Sequence, residues 1–287
     1  MFQRWLVAIV GLPLLLAVLL LCPAWATMIL VVAIAVIAAY ELMHVAGKNG
    51  KEKTAYWTAG YAAVQVFCVY RARTWYLSGF LVPGAQLRAP IDPLWVMPCC
   101  LVIVLFLLAV TTYEKPDALS FRTISVAFIG GAVFPMMFSC IVLLRMHETY
   151  GRLYVLAPFF IAFAGDSLAM YCGKWFGRKK LTPVSPKKTW AGFFGSVLGS
   201  VLGMAVFGLL GNRWLGYAPS WANLALVGVV GNLLGQLGDL STSLIKREAG
   251  VKDYSHLFLT HGGVLDRFDS TLFIAPLVYF FVSVGMM

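Results

Sequence analysis

WAGFFGSVLGSVLGMAVFGLL, residues 190–210, runs for 21 residues without a charged side chain. At about 1.5 Å rise per residue such a helix reaches about 30 Å, the depth of bilayer hydrocarbon. Gly195, Gly199 and Gly203 recur at every fourth position, with Ser196 and Ser200 beside them. Small residues at this spacing let helix backbones approach closely inside a membrane. A nucleotide-binding glycine loop is disfavoured, because these glycines lie within an apolar helix and follow no strand. Gly231 and Gly235 repeat the pattern in the next apolar run, 221–240.

Working outward, further apolar runs occupy 5–21, 27–45, 54–70, 94–113, 126–144, 153–173 and 270–287. With the two above, they predict an all-α, polytopic integral membrane protein with about nine transmembrane helices. The shorter piece 74–84 contains Pro83 and Gly84 and reads as re-entrant or interfacial. Composition agrees: 61% of the 287 residues are apolar and 12% charged, with a mean hydropathy of +0.84. A soluble domain carries about 25% charge, so a soluble enzyme and a disordered chain are both excluded. The chain reads as a single membrane domain over 1–287, with N-terminal spans in 1–152 and the chemistry-bearing half in 153–287.

Lys and Arg set the expected orientation. With the N-terminus inside, sixteen of the 22 basic residues fall in inside segments and six outside. The C-terminus is then outside, and segments 174–188 and 241–269 are cytoplasmic. Arg4, the first apolar run and Ala24-Trp25-Ala26 also resemble a cleavable secretory signal, but the run is longer than the usual h-region of about 7–15 residues. A retained first helix is the expectation. Cys22, Cys68, Cys99, Cys100, Cys140 and Cys172 form no CxxC pair and read as small buried hydrophobes.

Only twelve acids are present, so the placement of Asp166 and Asp239 in apolar runs is informative. Asp166 lies in FAGDS (163–167) and Asp239 in GQLGD (235–239). A carboxylate at membrane depth needs a cavity, a cation or a partner base. Asp239, Ser243 and Lys246 fall on one helix face, and Asp266 and Asp269 share another. A buried ion pair or an ordinary topology-setting loop would explain part of this. Neither requires Gly262-Gly263 or acids interleaved with bases. Carboxylates with oxygen-only neighbours suit Mg²⁺, so Asp239, Asp266 and Asp269 are the candidate metal ligands. Lysines, arginines and glycine N–H groups suit a polyphosphate. A second basic loop, 173–192, carries six cations and no acid, with Ser185, Lys187, Lys188 and Thr189 just before a span. Anionic lipid headgroups alone would also favour such a cluster. Nucleic acid is not an expected partner, because no soluble groove-reading module is present.

The stretch Ser243-Leu-Ile-Lys246-Arg247, Lys252-Asp253 and His261-Gly262-Gly263-Val-Leu-Asp266-Arg267-Phe-Asp269 resembles the signature of the phosphatidate cytidylyltransferases, the CDP-diacylglycerol synthases. Asp166-Ser167 through Gly173-Lys174, Gly177, and Ser185-Pro186-Lys187-Lys188-Thr189-Trp190 resemble further motifs of that family. The likeness covers about residues 160–287, and the earlier spans match only in hydropathy. It implies an integral membrane, Mg²⁺-dependent nucleotidyltransferase of phospholipid synthesis, which makes CDP-diacylglycerol and pyrophosphate from CTP and phosphatidate. A second cation and a homodimer remain open alternatives.

By the same resemblance Asp239 and Asp266 match the metal-centre carboxylates, with Lys246 and His261 as catalytic partners. Ser243, Arg247, Lys252, Arg267, Gly262, Gly263 and Asp166 match the substrate surround. Lys187, Lys188, Ser185 and Thr189 match the second motif. Ala191 and Thr242 stand where Glu is usual, and Leu259-Thr260 where Pro-Gly is usual; a raised Mg²⁺ requirement is expected from these departures. Two other readings stand beside this one: a relative that uses another lipid phosphate or is inactive, and a transporter of an anionic solute. The expected location is a bacterial inner membrane, with membrane lipids as neighbours.

Overall fold

Apolar runs become helices throughout the described residues, which contain no strand and a single isolated bridge between Lys180 and Thr189. The computed structural model describes residues 11, 13–47, 52–77, 93–114, 118–255, 257 and 262–287. Residues 5–10 and 12 of the expected first span, 5–21, and residues 78–84 of the 74–84 piece lie outside these residues. The chain divides into two compact units, one formed by residues up to Leu143 with Ala249–Leu265, the other by Leu144–Glu248 with Asp266–Met287.

The first unit contains α1 (Ala24–Ala46), α2 (Glu52–Leu77), α3 (Pro93–Thr111), α4 (Phe121–Phe128) and most of α5 (Phe134–Arg145). Ser120 caps α4, its Oγ accepting from the Thr123 N–H at 3.2 Å. A π-helical turn, Ile129–Val133, joins α4 to α5. Its Gly130 sits against α1, where an added Cβ would lie 3.3 Å from Leu42 Cδ2. A π-turn misaligns backbone partners, and the buried Gln65 Nε2 donates to the Ala132 carbonyl at 3.0 Å. Met43, Ala55, Leu101, Leu105, Ile124 and Ala127 form the apolar core around it.

The second unit contains α6 (Gly151–Tyr154), α7 (Ala157–Phe176), α8 (Trp190–Leu215), α9 (Trp221–Glu248) and α10 (Leu265–Ser283), whose first residue belongs to the first unit. α8 is built inside out relative to a soluble helix. Phe194, Leu198, Leu202 and Leu209 are exposed, Phe194 at 64%, whereas Ser196, Gly199, Ser200 and Gly203 are buried. In water that arrangement would waste its apolar surface; in lipid the bulky face meets acyl chains and the small face meets protein. At its far end α8 stops at Gly216, whose φ of 64° continues into a turn that Asn212 Nδ2 closes on the Tyr217 carbonyl. Tyr150, Tyr154, Phe207 and Tyr217 stack edge to face there.

Six helical segments are long and apolar enough to cross a membrane: Ala24–Ala46, Pro93–Thr111, Phe121–Arg145, Gly151–Phe176, Trp190–Leu215 and Trp221–Glu248. They correspond to six of the nine expected spans. The expected span 54–70 is helical too, inside α2, as is the 270–283 part of 270–287, inside α10. They are more polar: α2 carries Gln65, Arg71 and Arg73, and α10 opens with Asp266, Arg267 and Asp269.

Candidate active site

Close helix contacts place the polar groups of the second unit. At Gly203 an added Cβ would fall 2.7 Å from Ala164 Cβ, and at Gly195 2.6 Å from Cys172 Cβ, so α7 lies directly on the small face of α8. At Gly238 an added Cβ would fall 2.6 Å from both the Asp269 carbonyl oxygen and Phe273 Cδ2. The residue next to Asp239 is therefore the one that lets α10 close on α9. The glycine spacing that predicted tight packing is used in this way.

The loop between α7 and α8 folds back on itself. The Leu181 N–H donates to the Lys188 carbonyl at 2.9 Å, the Trp190 N–H to the Lys179 carbonyl at 3.2 Å, and the Lys188 N–H to the Ser185 carbonyl at 3.0 Å. Thr189 ends the loop as the cap of α8, its Oγ1 accepting from the Gly192 N–H at 3.1 Å. The hairpin turns Lys187 and Lys188 into a cavity of about 550 Å³ that Asp166, Lys174, Thr189, Gln236 and Asp239 also line. Ser185 contributes to the turn through its backbone and is not a lining residue.

Two carboxylates, Asp166 and Asp239, line the cavity. Lys188 Nζ offsets part of that charge, lying 2.6 Å from Asp239 Oδ2. Ser243 Oγ donates to Asp239 Oδ1 at 3.4 Å, which realises the one-face reading of α9. Thr242 Oγ1 is 3.1 Å from the Asp239 carbonyl and 3.4 Å from Asp269 Oδ2. Asp269 Oδ1 accepts from the Ser270 N–H at 2.7 Å. Asp266 is engaged otherwise: its Oδ1 lies 2.5 Å from Lys246 Nζ, with side chains only 8% and 10% exposed. The sequence grouped Asp239, Asp266 and Asp269; the structure sets Asp239 beside Asp166 in the cavity, links it to Asp269 through Thr242, and pairs Asp266 with Lys246.

The carboxylate and hydroxyl donors around Asp239 are all oxygen, which suits a hard cation. Among the described residues no three His, Cys, Asp or Glu side chains form a closed ligand set. Open, carboxylate-poor coordination is the habit of Mg²⁺, which fills its remaining positions with water and substrate phosphates.

The other predicted residues are spread more widely. Arg247 and Arg267 are exposed, near the end of α9 and in the first turn of α10. Lys252, Gly262 and Gly263 belong to segment 249–265 of the first unit. His261, Leu259 and Thr260 lie outside the described residues. Within the first unit, the geometry explains the glycine pair. Gly262 has a φ of 78°, a conformation that favours glycine. An added Cβ at Gly263 would collide with the Glu41 carboxylate. Glu41, only 3% exposed within α1, accepts from the N–H groups of Val264 at 3.0 Å and Leu265 at 2.8 Å and from Ser255 Oγ at 2.6 Å. It takes up two N–H groups next to the expected phosphate-binding turn. The sequence reading missed Glu41, although an acid amid the apolar run 27–45 was a visible signal.

The model of the cytidylyltransferase family matches residues 2–284. The phosphatidate cytidylyltransferase of Bacillus subtilis (strain 168) is 34% identical over 209 residues, covering 71% of this chain and 74% of that protein. That of Rickettsia felis is 34% identical over 194 residues, covering 67% of this chain and 84% of that protein. That of Synechocystis sp. is 45% identical over 133 residues, covering 46% of this chain and 44% of that protein.

Proposed function

The chain belongs to the cytidylyltransferase family, and from that membership we propose that it transfers the cytidylyl group of CTP to phosphatidate, releasing pyrophosphate and forming CDP-diacylglycerol. The observation that carries this reading is the cavity in which Lys187 and Lys188 face Asp166 and Asp239. It joins a cationic wall for phosphates to an all-oxygen anionic wall for a cation, within helices apolar enough to hold a lipid substrate in the same membrane.

The reaction needs no side-chain nucleophile. A phosphate oxygen of phosphatidate forms a bond to the α-phosphorus of CTP, and the bond from that phosphorus to the α–β bridging oxygen breaks. Pyrophosphate carries away the electron pair. Lys187 and Lys188 bind and orient the triphosphate as charge builds on the departing group. When substrate phosphates engage Lys188, its hold on Asp239 is shared, freeing Asp239 Oδ2 toward the cavity. Asp239, with Asp166 beside it in the cavity, would hold Mg²⁺ and leave its other positions to water and substrate phosphates, with Thr242 and Ser243 as neighbouring hydroxyls. Bound there, the cation supplies charge neutralisation and alignment of the phosphates. Lys246 holds Asp266 at the start of α10 and so fixes the helix that carries Asp269. Nine crossings, with segments 174–188 and 241–269 facing the cytoplasm of a bacterial inner membrane, fit the supply of soluble CTP. Self-association as a homodimer is compatible with the exposed apolar faces.

Incubation of the purified protein with labelled CTP, phosphatidate and Mg²⁺ should yield a labelled, organic-extractable lipid and stoichiometric pyrophosphate. An unlabelled lipid fraction with every phosphatidate tested, despite folded protein, would remove this reading. Uptake of an anionic solute into liposomes without nucleotide turnover would put a transporter in its place.

A further inference from the structure

A polar relay crosses the three packed helices behind the cavity. Ser200 Oγ donates to the Ile161 carbonyl at 2.8 Å. Its proton is thus committed, and its oxygen can only accept. Asn232 Nδ2 donates to Ser200 Oγ at 2.8 Å and to Ser196 Oγ at 2.7 Å, which uses both amide hydrogens. The amide orientation of Asn232 is fixed by this, so its Oδ1 faces Gln236, and Gln236 Nε2 donates to it at 2.6 Å. Gly165 keeps the space open, since a Cβ there would lie 2.6 Å from both Asn232 Nδ2 and Ser200 Oγ. A backbone carbonyl, which cannot reverse its polarity, therefore dictates the orientation of an amide three hydrogen bonds away.

The last member points its acceptor outward. Gln236 lines the cavity. Its Oε1 has no partner among the described residues and is not sealed within protein. Ser196 lines the same cavity, accepts from Asn232, and its own proton has no acceptor among the described residues. The relay thus presents a fixed acceptor from α9 and an available donor from α8. Cytosine offers the complement, an exocyclic amine beside an unprotonated ring nitrogen. Uracil offers the reverse, a carbonyl oxygen beside a ring N–H. Phe193 lines the same cavity and supplies an apolar face for a flat ring.

We propose that Gln236 and Ser196 read the nucleotide base, Gln236 Oε1 accepting from the cytosine amine and Ser196 Oγ donating to the ring nitrogen, with the Asn232–Ser200 relay as the positioning element. This rests on the cytidylyltransferase reading and deepens it. An amide free to turn over would serve either pyrimidine; one anchored to Ile161 rejects uracil, because two acceptors would face each other. Leaving such a group unmet lowers the preference by about fivefold to 150-fold.

The test uses the full chain in detergent, with kcat/KM for CTP and for UTP and, separately, equilibrium displacement of bound CTP by UTP. Gln236→Met keeps the volume and removes the acceptor. Ser196→Ala removes the donor with the smallest change to packing. The parent should favour CTP, the CTP:UTP ratio should fall about tenfold or more in Gln236→Met, and a smaller fall should accompany Ser196→Ala. An unchanged ratio in both folded variants overturns the proposal. So does a weakened Mg²⁺ affinity in Gln236→Met with the ratio intact, which would assign the oxygen to the cation. A parent that converts no nucleotide overturns the family-based reading instead; displacement then still decides this one, since equal binding of CTP and UTP by the parent would overturn it.

Discussion

Two lysine–aspartate pairs lie in the same unit and differ in their access to the cavity. Lys188 and Asp239 are 25% and 32% exposed, line the cavity and meet at 2.6 Å. Lys246 and Asp266 are 10% and 8% exposed and meet at 2.5 Å between α9 and α10. Exposed pairs contribute little to stability because water competes for both partners. A buried pair is different: removing one partner strands the other charge at a cost of about 3–5 kcal/mol. The open pair is accessible to other partners from the cavity. The buried pair serves as a latch. One chemical motif therefore has two roles, set by how much of it the helices cover.

The largest effect should come from the open pair. Asp239→Asn keeps the volume but removes the charge, and turnover should fall by about 10³-fold or more, while the amount of protein in the membrane and its melting temperature stay near the parent. Turnover within tenfold of the parent would deny Asp239 its role. Breaking the latch should look different. Lys246→Met should lower the melting temperature in detergent strongly, in keeping with about 3–5 kcal/mol for an unpaired buried charge. Combining it with Asp266→Leu should restore much of that stability without restoring turnover. If Lys188→Met destabilises the protein as much as Lys246→Met does, the contrast between the pairs fails; a rise in KM for CTP with little change in melting temperature would sharpen it.

A smaller effect should follow at the helix contact beside Asp239. Gly238→Ala pushes a methyl group against the Asp269 carbonyl and Phe273, 2.6 Å away, and should destabilise by about 1–3 kcal/mol. The same methyl on the open glycine Gly60, which has nothing within 4 Å of the added position, serves as the comparison and should be neutral or slightly stabilising. The smallest shift should be that of Thr242→Glu. It adds a carboxylate beside Asp269 and should lower the Mg²⁺ concentration at half-maximal rate severalfold. An unchanged Mg²⁺ requirement would mean that position 242 does not face the cation.

Much of the site was legible because charge is rare in an apolar chain. Asp166 and Asp239 stood out in runs that tolerate no idle carboxylate, and the 185–189 stretch stood out through its lysines. Their partners were less legible. Lys188 and Asp239 are 51 positions apart, and a spacing rule extends only a few residues along one helix. Glu41 was overlooked because its role depends on backbone N–H groups more than 200 residues later in the chain. The relay through Ser200, Asn232 and Gln236 was also missed, since each of its members is an unremarkable polar residue until three helices are packed together.

By itself the sequence determined that this chain lives among lipids and that its helices pack through small residues, and it set the expectation that the chemistry sits in the later half. Those conclusions depend on local quantities: hydropathy over about 20 residues, glycine at every fourth position and the cost of an intramembrane charge. Only the tertiary structure decided which carboxylate stands beside Asp239 and which lysine is buried. It also decided why Gly263 has no room for a side chain and which way the Gln236 amide faces. These depend on helix rotation and approach, where the absence of one Cβ at Gly238 or Gly165 moves whole polar groups into contact, and no local pattern encodes that geometry.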